Sequence, residues 1–178
     1  MKIKNCLFLL GTAMAVMSSS AFADTTGTQT FTANVTADTC TIANLNQAVE
    51  LGNVLKADYA GLGNWHVPAN ASLVSVNFDV TGCGNNITKV NVTPTFTAES
   101  VARLVKNAGT ATGIAFDTAK EREGGDEPDK IWEPGKTKTF TLTNGAVQVP
   151  VTGALSTNDK AVTTGTLDFR MSFTFDFA

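Results

Sequence analysis

Histidine occurs once in these 178 residues, as His66, and cysteine three times, as Cys6, Cys40 and Cys83. Catalysis needs convergent titratable groups, and no nucleophile motif such as G-x-S-x-G compensates for their scarcity. No enzyme, cofactor or metal site is therefore expected. Charge is sparse as well, at 16% of residues. Long apolar runs are missing except at the start, where Cys6 to Val16 follows Lys2 and Lys4 and precedes Ala21-Phe22-Ala23. That run is well short of the roughly 20 residues a membrane span requires, and its flanks are those of a cleaved secretory leader. Residues 1–23 are read as a signal peptide, with Asp24 as the mature start. Losing Lys2 and Lys4 leaves 11 basic against 16 acidic side chains, a formal charge of −5. Such a balance argues against nucleic acid or another polyanion as partner.

With Cys6 gone, Cys40 and Cys83 are an even pair in an oxidising compartment, and one disulfide is expected. Zinc is the rival reading, but two cysteines and a distant His66 make a poor tetrahedral set. The remaining 155 residues suit one domain with a real core.

What is abundant is alternation. Leu167, Phe169, Met171, Phe173, Phe175 and Phe177 take every second position, with Asp168, Arg170, Ser172, Thr174 and Asp176 between them. Side chains on a strand point to opposite faces in turn, so this is a half-buried strand about 35 Å long. Gln29 to Ile42 repeats the pattern through Phe31, Ala33, Val35 and Ala37. Val49 to Val54, Leu73 to Cys83, Ile87 to Thr97, Gly113 to Asp117, Lys136 to Leu142 and Val147 to Leu155 read as further strands. Asn144-Gly145 between the last two is a hairpin signal. Val101, Leu104, Val105 and Ala108 have helical spacing, but the segment is short and rich in β-branched residues, so it reads as irregular. Lys56 to Ala71, Glu121 to Lys130 and Ser156 to Gly165 are loops. About eight short strands with one disulfide describe an all-β sandwich of the immunoglobulin type.

Taken in order, five stretches resemble the subunits of chaperone-usher fimbriae, the type 1-like pilins of Gram-negative bacteria. They are Phe31-x-Ala33-x-Val35 ahead of Cys40; Val49-Glu50-Leu51-Gly52-Asn53-Val54; Val76-Asn77-Phe78-Asp79-Val80-x-x-Cys83; Gly113-Ile114-Ala115-Phe116; and the terminal strand Gly165 to Phe177. The resemblance implies an incomplete immunoglobulin-like sandwich over residues 38–178, preceded by a donor-strand extension over 24–37. In such a protein the groove beside the C-terminal strand stays uncovered until a periplasmic chaperone, and then the extension of the next pilin subunit at an outer-membrane usher, fills it. Carried over, the donor face is Gly27, Gln29, Phe31, Ala33 and Val35, and the acceptor edge is Leu167, Phe169, Met171, Phe173, Phe175 and Phe177. Ala33 stands where the family usually has glycine, and Phe177 where it has tyrosine. The implied role is a structural subunit of an adhesive fibre, exported through the periplasm to the cell surface. The alternative is a minor or tip subunit that meets a host-cell receptor directly.

Three features lie outside that scheme. Trp65-His66 in a Gly-rich loop reads as a solvated pair, with ligand contact as the alternative. Glu121, Glu123, Asp126, Glu127 and Asp129 lack the spacing of a calcium loop and are interrupted by Arg122 and Lys130. Trp132 fits core or surface equally.

Overall fold

The computed structural model describes residues 25–35, 40–119 and 131–178. The leader expected over 1–23, the end of the extension at residues 36–37 and the acidic loop 121–130 lie outside the described residues. Ten strands form two five-stranded sheets among those described. They are β1 (Thr25–Val35), β2 (Thr41–Ala43), β3 (Asn46–Val54), β4 (Leu73–Thr81), β5 (Lys89–Thr95), β6 (Leu104–Val105), β7 (Ile114–Asp117), β8 (Lys138–Thr141), β9 (Val147–Thr157) and β10 (Leu167–Phe177). One sheet has the order β3-β1-β10-β5-β8, the other β2-β4-β9-β7-β6.

Alternation decides what meets between the sheets. Leu167, Phe169, Met171, Phe173 and Phe175 of β10 are buried, as are Val90 and Val92 of β5. Opposite them lie Val74, Val76, Phe78 and Val80 of β4 and Val149 and Val151 of β9. Phe78 joins the layers, with ring centroids 5.3 Å from Phe173 and 5.5 Å from Phe175. Phe116 of β7 does the same against Phe169 at 6.1 Å. These tilted and edge-on geometries place positive ring edges against negative faces.

Four expectations are refined here. Gln29 to Ile42 is not one strand: β1 belongs to one sheet and β2 to the other. The loop after β3 contains one helical turn, α1 (Lys56–Tyr59), and the irregular stretch around residue 104 contains the two-residue β6. The hairpin at Asn144-Gly145 is overturned. The turn itself forms, with Asn144 and Gly145 both at positive φ and backbone bonds between Thr143 and Ala146 in both directions. Yet β8 pairs with β5, and β9 pairs with β4 and β7. The apolar residues on either side of the turn face the same core from opposite layers, so the turn becomes a corner between sheets. Gly145 is confined there by close approach, since a Cβ would lie 2.8 Å from the Cys83 carbonyl oxygen.

Trp132 is core, 1% exposed. Asp117 is buried as well, held by the Arg103 guanidinium at 3.1 Å and accepting from the Ala119 N–H at 2.9 Å. Pairing of that kind is what makes a buried carboxylate tolerable.

Candidate functional site

The site follows from one topological fact. β3 is joined to its sheet only through β1, which lies between β3 and β10. Removing β1 would leave a gap one strand wide, about 10 Å between flanking strands, since neighbours sit roughly 4.8 Å apart. β10 forms one wall of this slot and β3 the other.

β1 runs antiparallel to β3 and parallel to β10. Every other pairing between named strands of the described residues is antiparallel. Its register against β10 sets Gly27 beside Leu167, Gln29 beside Phe169, Phe31 beside Met171, Ala33 beside Phe173 and Val35 beside Phe175. Gly27, Gln29 and Phe31 are buried and Ala33 is half-buried, while Thr28, Thr30 and Thr32 on the other pleat face are half-exposed. Phe31 reaches across the core to Phe116, edge-on at 6.5 Å. Gly27 marks a close approach: a Cβ there would come within 2.9 Å of Leu51 Cδ1 and 3.0 Å of Leu167 Cβ. A β-bulge at Gly27/Thr28 accommodates the crowding, with Gly27 opposite Gly52 and Thr28 opposite Glu50.

The residues expected to enter a neighbour's groove thus lie in the groove of their own chain. Within the single chain, β1 covers the edge of β10. An apolar strand edge pairs with the nearest strand that fits, and a segment tethered to the same chain is present at high effective concentration. Along β10, the expected acceptor edge, Leu167 to Phe175 are buried at alternate positions and Phe177 is half-buried.

The second wall was missed. Val49 and Leu51 of β3 pack against the core, and Val49 lies opposite Gln29. The available signal was the inward alternation of Val49 and Leu51 around exposed Glu50.

At the near end of the slot, Cys40 and Cys83 form the expected disulfide, with Cα atoms 4.3 Å apart. It ties the chain just after the extension to the end of β4. A Cys40→Ser chain should lose up to about 4 kcal/mol in the chain-entropy account of a loop this long. Urea unfolding of the purified protein checks this, and a midpoint equal to that of the parent would refute it.

Trp65 and His66 are strapped to the end of β9: the Trp65 N–H donates to the Thr157 carbonyl at 3.1 Å and the Thr157 N–H to the His66 carbonyl at 2.9 Å. His66 Nδ1 lies 2.9 Å from the Asn64 carbonyl oxygen. Between α1, β3 and β4 opens a cavity of about 310 Å³, lined by Leu51, Leu55, Tyr59 and Leu73 among others. Burial, aided by Asp58, pushes the Tyr59 hydroxyl up to about 12. Among the described residues, no three of His, Cys, Asp and Glu gather where they could hold a metal ion.

No family model matches the sequence, and no curated protein does. Among solved structures, the crystal structure of PapA, the rod subunit of the P pilus, matches 79% of this chain and 100% of its own, with a TM-score of 0.58 at 15% identity. The fold is that of a pilin. Within it, β1 is the strand that lies between β3 and β10.

Proposed function

We propose that this chain is a structural subunit of a chaperone-usher fibre, polymerising when β1 of one copy occupies the slot between β3 and β10 of the next. The observation that carries the proposal is the position of β1. It precedes the disulfide-anchored sandwich, forms the strand between β3 and β10, and inserts alternate side chains into the core. A strand held by main-chain pairing and side-chain pockets can be replaced by an identical strand from another copy, because the groove offers both the same contacts. Periplasmic chaperone and outer-membrane usher are the partners such an exchange requires, and the cell surface is its destination. The likeness to a rod subunit supports a place along the fibre rather than at its tip.

Immunogold electron microscopy of cells expressing the chain together with a chaperone and an usher tests this. Label is expected along filaments. Label confined to tips would assign a minor or receptor-binding subunit instead, and soluble monomer with no filament would refute polymerisation.

A further inference from the structure

Along the inward face of β1, one residue does not match its surroundings. Gly27 and Phe31 are buried against apolar neighbours, and Gln29 between them is fully buried too. Its carboxamide has no hydrogen-bond partner at either Nε2 or Oε1. The backbone neighbours are Phe169 on β10 and Val49 on β3, whose side chains offer neither donor nor acceptor. An amide removed from water without compensation opposes the burial that seats the rest of the strand. A leucine or methionine of similar size would fill the same volume with no such penalty.

We infer that Gln29 is a destabilising element in the self-closed chain, which shortens the time β1 stays in its own groove and so keeps the strand available for release. The inference rests on the strand-exchange reading for its purpose, but concerns the monomer alone. One further feature works in the same direction: the pairing of β1 with β10 is parallel, which is slightly weaker per residue than antiparallel pairing. Phe31 supplies the holding contact and Gln29 the releasing one, two positions apart on the same face.

Hydrogen exchange of the full-length, oxidised monomer tests the inference through the amides that link β1 to β3 and β10. Gln29→Leu is expected to slow their exchange by roughly ten- to a hundredfold, the range that corresponds to relieving one buried unpaired amide. Thr30→Val, on the opposite pleat face, should change it by less than about threefold. Should Gln29→Leu misfold, Gln29→Met retains the length and flexibility of the side chain while deleting the amide. Exchange at the parental rate or faster in a folded Gln29→Leu or Gln29→Met chain would overturn the inference. Capture of a labelled peptide spanning Thr25 to Val35 by the same monomers separates this from the functional reading. Slowed opening without peptide capture would leave the role of Gln29 standing and remove strand exchange. Capture with unchanged opening would do the reverse.

Discussion

Phe31→Asp is expected to abolish fibre formation and to release β1 from its own groove, whereas Thr32→Asp should leave both nearly as they are. The two residues are adjacent, on the same strand, and receive the same charge. Phe31 is fully buried, edge-on to Phe116. Removing that ring from the core forfeits about 1.5 to 3 kcal/mol of burial, and an unpaired carboxylate in its place would cost several kcal/mol more. Thr32 is half-exposed and lies beside Ser172 and Asn46, where a carboxylate keeps its water. Under the proposed function the rest of the chain, with its disulfide and both sheets otherwise intact, should still fold once another strand fills the slot. Filament yield by electron microscopy and limited proteolysis of the extension together read the result. Equal filament yield from the two variants would remove β1 as the exchanged strand.

Trp132→Ala should produce the largest loss within the body itself. The indole is stacked on Phe140 at 6.1 Å, meets Phe173 edge-on at 5.2 Å, and its Nε1–H donates to the Pro150 carbonyl at 3.3 Å. Lys138 Nζ lies 4.4 Å above the ring. Truncation leaves a cavity between the layers and removes a donor from the Pro150 carbonyl, and large aromatic deletions of this kind cost about 3 to 5 kcal/mol. For a domain of this size that corresponds to a fall in Tm on the order of 10 °C. Trp132→Phe, which keeps the stacking but not the donor, should lose less than half as much. A Trp132→Ala midpoint within about 2 °C of the parent would show that the indole is not a core element.

The likeness to PapA, at 15% identity, is a likeness of fold. What such folds share is the placement of apolar faces, and many side chains satisfy it equally. The slot, by contrast, depends on a few fits: the Gly27 approach, the Phe31 ring and the unpaired Gln29.

By itself, the sequence determined the faces. A period of two in β10, β4 and β1 assigns each residue to core or solvent, and those assignments agree with burial at Leu167 to Phe175, Val74 to Val80 and Gly27 to Phe31. It also determined the disulfide, since once Cys6 is set aside as part of a leader, two cysteines have only one pairing. Tertiary structure decided the partners. Alternation says which way a side chain points and nothing about which strand lies beside it, so the turn at Asn144-Gly145 read as a hairpin although β8 and β9 belong to different sheets. The same ambiguity governs β1. A strand donated within the chain and one donated between chains need the same residues at the same positions, and only tethering and the geometry of the slot choose between them. Gln29 shows the limit most clearly. In the sequence it is one polar residue in a mostly apolar alternation, and only the packing around it leaves both ends of its amide without a partner.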